Sequence, residues 1–305
     1  MMFKNLHLYR LPAPWQISAD ALNAQLARGR FKPCGAFEAT SRGWVSPRPA
    51  RDPETLIHAI GGQWLLALET ETRLLSSLVV RQEVQARAEK IAQEQGFTPG
   101  RKALRDLQAK VWDELLPRAF ACRRKTFVWI DPAHGWLGVD AGSQKKAEEV
   151  LEALGDCLDD FPCKLLSMRL SPALAMTEWL LSGDAPFAID RDCELKSATG
   201  EQAAVRYVRH SLRDETLPEI RAHLQAGKFP TRLALTYDDR LSFVLTEKGE
   251  IKRLEFLDVL KEELEEVETA EELFDAEFAL MTGEFVHFLP ALIEALGGEK
   301  SEVAT

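Results

Sequence analysis

The sequence predicts an α+β fold: mixed sheets with packed helices and an inserted helical hairpin. Three observations lead there. Short alternating or β-branched segments recur through most of the chain, as strands do. One long stretch, Ser76 to Leu116, instead carries apolar residues every three to four positions and is broken once, by Gly96-Phe97-Thr98-Pro99-Gly100. Late in the chain, three strand-like runs in succession lead into a helical segment rich in Phe and Leu.

Phe3 to Leu11 alternates and reads as the first strand, ended by Pro12 and Pro14. Ser18 caps a short helix with Ala21, Leu22 and Leu26 on one face, stopped by Gly29. Arg42 to Pro47 is extended around Trp44, and Leu56 to Ile60 pairs with Trp64 to Thr70 across Gly61-Gly62. In the hairpin, Val80, Val84, Ala88 and Ile91 face Leu104, Leu107, Val111 and Leu115. Pro117 ends the second helix, because the residue before a proline disfavours the helical region. A loop with Phe120 and a basic run follows, then a buried strand from Thr126 to Asp131 that forms a hairpin with Gly135 to Asp140. Lys145 to Leu158 is a helix and Lys164 to Leu170 a strand. Beyond Pro172 come a helix at Leu174 to Leu181, strands at Phe187 to Leu195 and Ala203 to His210, and a helix at Leu217 to Gln225. Thr231 to Tyr237, Leu241 to Thr246 and Ile251 to Leu257 form a meander, followed by helix from Asp258 to Leu296. Residues 1–75 and 121–171 thus read as a central αβ region, a pseudo-repeat of two sandwiches side by side. Residues 76–120 form a projecting hairpin tip, and 172–305 a base domain with an antiparallel sheet and an acidic helical C-terminus.

The net charge of −10 argues at first against nucleic acid, but its distribution does not. Asp258 to Thr305 holds fourteen acidic and two basic residues, whereas Ser76 to Ile130 holds eleven Lys/Arg against six Asp/Glu. Association follows the local field, so a basic middle can bind an anion despite an acidic end. No apolar run reaches the roughly eighteen residues of a membrane span. No signal-peptide pattern opens the chain, so a cytoplasmic protein is expected. Five scattered cysteines without a CxxC pair suggest incidental thiols rather than zinc or disulfides.

No nucleotide-binding glycine loop, nucleophile elbow or HExxH pair is present, and no cofactor is expected. Asp131 and His134 flank a turn and read as part of it. The positive signals are cationic: Arg118, Arg123, Arg124 and Lys125 beside Phe120; Arg101, Lys102 and Arg105 near the hairpin tip; Arg206, Arg209, His210 and Arg213; and a weak pair, Lys252-Arg253. Such groups without base-reading geometry suit phosphate contact, which is independent of sequence and sensitive to salt.

Collinear segments give the chain a resemblance: FKNLHLYRL from residue 3, FKPCG from 31, GWVSP from 43, LLPRAF from 115, WID from 129, KKAE from 145, TEW from 177, TRLALTY from 231 and LMTGE from 280. Together they resemble the bacterial recombination-associated RdgC family. The resemblance implies a ring-shaped homodimer that encircles duplex DNA, binds double and single strands without sequence preference, and restrains RecA in the nucleoid. It places the family's gate phenylalanine on Phe120 and a second sensitive pair on Arg209 and His210, where this chain departs from Lys-Gln. The alternatives are a metal-dependent nuclease or other DNA-processing enzyme with dispersed carboxylates, and a protein scaffold that inhibits RecA directly.

Overall fold

The computed structural model describes residues 2–48, 54–197, 204–208, 217–262, 267 and 269–300. Its strands form two sheets. The first contains β1 (His7–Arg10), β2 (Thr40–Val45), β3 (Ile57–Ile60), β4 (Gln63–Arg73), β5 (Ala121–Asp131), β6 (Trp136–Val139) and β7 (Lys164–Leu165). Their order is β2-β4-β5-β6-β1-β7, with β3 also on β4. The second contains β8 (Ala188–Ser197), β9 (Val205–Tyr207), β10 (Lys228–Tyr237), β11 (Leu241–Thr246) and β12 (Ile251–Phe256), in the order β12-β11-β10-β8-β9. The described residues hold eight α-helices: α1 (Ala19–Leu26), α2 (Ser77–Gln95), α3 (Arg101–Leu115), α4 (Gln144–Gly155), α5 (Pro172–Ser182), α6 (Leu217–Gln225), α7 (Asp258–Glu262) and α8 (Ala270–Ala295).

The fold is α+β, but the expected mixed sheets are antiparallel in every ladder between these strands. Connectivity explains this. A parallel pair needs a crossover that carries the chain back along the sheet. Here α2 and α3 leave from the end of β4 and return to the start of β5, its direct neighbour, so the hairpin is the loop of an antiparallel strand pair. Strands from 1–75 and 121–171 share one sheet through β4–β5 and β1–β6.

Local chemistry sets the boundaries. The Ser18 and Ser76 hydroxyls accept from Ala21 and Leu78 N–H at 3.2 Å, capping α1 and α2. Thr269 caps α8, accepting from Glu272 N–H at 3.2 Å while its hydroxyl donates to the Glu272 carboxylate at 2.8 Å. Asp238 and Asp239 both take positive φ (49° and 51°), as a two-residue turn matched to strand twist requires.

One face of the first sheet packs on α1 and α4 through Leu22, Leu26, Leu66, Val128, Val150 and Leu154. The other face meets α8, which lies between the sheets. Phe285 sits 5.1 Å from Trp129 of β5, and Phe288 sits 4.9 Å from Phe243 of β11. Burying each such ring is worth about 1.5–3 kcal/mol. By length and composition α8 could cross a membrane, which a search for uninterrupted apolar runs missed. Its Phe278, Met281, Phe285, Phe288 and Leu289 are instead buried in the core. The two sheets also touch directly, because Leu6 and Ile251 exchange backbone hydrogen bonds at 2.8 and 3.2 Å.

Candidate nucleic-acid interface and subunit contact

Among the described residues the hairpin is two helices packed on each other. Only Val80 of α2 and Val111 of α3 are buried, while Val84, Ala88, Ile91, Leu104, Leu107 and Leu115 are half-buried along the seam. Arg87 ties the pair together, donating to Glu83 and to Glu114 at 2.7 Å each. Gly96, in the left-handed region at φ 77°, closes α2. Arg101, Lys102 and Arg105 are exposed in the first two turns of α3. No acid lies in that first turn, and the N-cap, Gly100, has no capping side chain. A helix N-terminus carries partial positive charge, so cations there are locally unfavourable. Local rules are broken mostly where function requires it. Here the cost buys a concentrated positive tip.

At the hairpin root, Leu116–Arg118 forms a short 3-10 turn after α3. Phe120 follows with 86% of its surface exposed. Its carbonyl accepts from Leu74 N–H at 2.7 Å, and Leu74, Leu78 and Val79 are also exposed. An apolar patch this open is the usual mark of an interaction surface.

The basic run lies in a strand, not in the expected loop. β5 begins at Ala121 and pairs with β4 along its whole length, so alternation divides the run between two faces. The Arg123 Nε donates to the Glu71 carboxylate at 2.6 Å, and its guanidinium lies 5.1 Å from the Phe31 ring centre. Glu71 is buried and also accepts from Cys34 N–H at 2.8 Å. The Cys34 backbone bond first, and then Arg123, hold its carboxyl below the ordinary range. Arg123 is thus a structural clasp. Lys125 donates to the Ser46 carbonyl at 3.0 Å. Arg124 faces the other way, into a groove beside α4, and has no ion-pair partner among the described residues. Arg118 is exposed and has none there either.

Arg206 lies on edge strand β9, but Arg209, His210 and Arg213 fall outside the described residues. Across the sheet the register runs Arg206, Glu194, Arg232, and Arg206 and Arg232 share a small cleft with Lys252 and Arg253. Those last two are engaged: Lys252 with His7 at 3.1 Å, and Arg253 with Asp192 at 2.9 Å. Sequence reading missed Arg42, Lys146 and Arg232. Strand alternation in TRLALTY was a usable signal for Arg232, opposite buried Leu233 and Leu235.

Asp131 is a turn residue as expected. Its Oδ1 accepts from Ala133 and His134 N–H at 3.0 Å each, and its Oδ2 lies 2.7 Å from His134 Nδ1. Burial pushes its carboxyl up, but hydrogen bonds from Gln63 and His134 outweigh that and hold it low. All five cysteines are free, and burial pushes the Cys163 and Cys193 thiols up to about 12. Among the described residues, no group of three or more His, Cys, Asp or Glu is placed to hold a metal ion.

A family model described as "Putative exonuclease, RdgC" matches residues 1–299. The chain is 59% identical over 305 residues to the recombination-associated protein RdgC of Dechloromonas aromatica (strain RCB), covering 99% of each. It is 48% identical over 303 residues to that of Janthinobacterium sp. (strain Marseille), covering 98% of this chain and 99% of the relative. Identity to that of Herminiimonas arsenicoxydans is 47% over 305 residues, covering 99% of this chain and 100% of the relative. With matches that run from one end to the other, the chain belongs to the RdgC family of recombination-associated proteins.

Proposed function

We propose that this protein is a non-enzymatic, sequence-independent DNA-binding protein that closes as a homodimeric ring around duplex DNA, also binds single strands, and restrains RecA-driven recombination in the nucleoid. Phe120 carries the reading: a large aromatic at 86% exposure, on an apolar patch between cations. Its role is to close one subunit contact, with Arg209 and His210 assigned to the second. Arg101, Lys102, Arg105, Arg118, Arg124 and Arg206 have no ion-pair partner among the described residues, which supports a role on phosphate. A closed ring accounts for DNA binding by a chain of net charge −10, since few contacts suffice when escape requires opening. The relatives' name, recombination-associated protein, supports a role in recombination.

The nuclease alternative has the family model's description in its favour, but among the described residues no group of three or more His, Cys, Asp or Glu is placed to hold the metal it would need. One experiment addresses both. Wild type and Phe120→Ala are loaded on circular and linearised plasmid with magnesium, and retention is measured after a salt jump. Wild type stays on intact circles and is released when they are cut once, whereas Phe120→Ala leaves both. Equal loss of wild type from the two DNAs removes encirclement, and spontaneous nicking or degradation of the plasmid revives the nuclease.

A further inference from the structure

We propose that the groove between the β2-β4-β5 face and α4 binds the backbone of a single DNA strand, an assignment that rests on the reading of the chain as a DNA-binding protein. The groove encloses about 780 Å³. That is the scale of a small-molecule site, with room for a few nucleotides of one strand rather than for a duplex.

Strand register builds its floor. Arg42 of β2 lies opposite Thr70 of β4, which lies opposite Arg124 of β5. Thr72 belongs to the next row, and Thr126 lies beyond on the same face. Adjacent strands are about 4.8 Å apart, so the two arginines start about 10 Å apart. Lys146, in the first turn of α4, supplies a third cation from the wall. Arg124, Lys146 and the Thr70, Thr72 and Thr126 hydroxyls make no side-chain hydrogen bond or ion pair among the described residues. Arg42 is held by Glu152 at 2.7 Å.

Hydroxyls and cations are the side chains that contact phosphate and sugar. Their spread over three strands and a helix suits several successive phosphates rather than one ion. Among the described residues no aromatic side chain lines the groove to stack a base, which suits contact with the backbone rather than the bases. The apolar side chains Leu68, Leu74, Cys122 and Val150 are interspersed with the cations and hydroxyls, so the groove offers no continuous apolar seam on which a protein segment would dock.

The test measures binding of labelled oligothymidylate, and of a short duplex, across a salt series. Lys146→Gln lowers the single-strand log–log salt slope by roughly 0.7, the value for one lost contact. Thr70→Val weakens single-strand binding at every salt concentration without changing the slope. Glu149→Gln, which removes an acid from the groove lining, tightens it; damage to the fold does not produce a gain. Duplex affinity and subunit mass stay as in wild type. Unchanged oligothymidylate binding in all three variants overturns the assignment. So does an equal fall for duplex and single strand, or a change in subunit mass alone, which would point to a protein occupant. If wild type binds neither DNA, the underlying reading fails as well, which separates the two failures.

Discussion

Between Arg123 and Arg124 the backbone crosses one pleat, and the two guanidiniums meet different surroundings. Arg123 closes on buried Glu71, fifty-two positions away, and fastens the loop at Phe31 and Cys34 to the sheet. Arg124 points into open groove. Substituting both together would mix two effects, so the separate variants carry the information. Arg123→Gln lowers the melting temperature and leaves the salt dependence of DNA binding unchanged. Arg124→Gln leaves the melting temperature in place and reduces the single-strand salt slope by roughly 0.7. Thermal melts beside salt titrations decide it. Three consecutive cations show no alternation of polarity, so nothing in the run itself hints that they divide between two faces. Nor does a local pattern reveal a partner fifty-two residues away.

The helical hairpin was legible because its apolar residues repeat at the helical period, and the positions that repeat are the ones the structure turns into the seam. The seam is thin, however. Two helices that bury little more than Val80 and Val111 gain little protection from local opening. Amide hydrogen exchange across Ser77–Gln95 and Arg101–Leu115 is therefore faster than across β4 and β5 beside Trp129, as mass spectrometry of peptic fragments will show. Equal protection would mean that the hairpin is braced by something else, such as a second subunit. The helix α8 was less legible. A helix apolar on most sides suits a core, a partner or a membrane equally, and only its contacts with both sheets decide among them.

Across the whole molecule, the acidic end and basic middle were countable from the sequence, but their pairing was not. Glu299 engages Arg10 across 289 positions, Asp275 engages Arg48 across 227, and Glu284 holds Arg240 across 44. Part of the acidic end is thus satisfied internally by structural arginines, leaving cations at the hairpin and in the groove open to solvent. The proposed closure predicts a dimer in solution. Phe120→Ala keeps the dimer mass through the second contact but increases the maximum dimension in small-angle scattering. A wild-type monomer by sedimentation would dismiss the ring.

The continuous pairing of β4 with β5, from Trp64 and Ile130 out to Arg73 and Ala121, also has a mechanical side. Tension applied at the hairpin pulls both strands the same way, so they do not slide against each other. The pull passes to the ladders with β2 and β6, whose hydrogen bonds lie across it and resist together. A contact anchored by one aromatic side chain has no such reserve. In the proposed ring each subunit would be a stiff arm ending in a compliant latch, so a motor forced against it would part the latch before it deformed the arm.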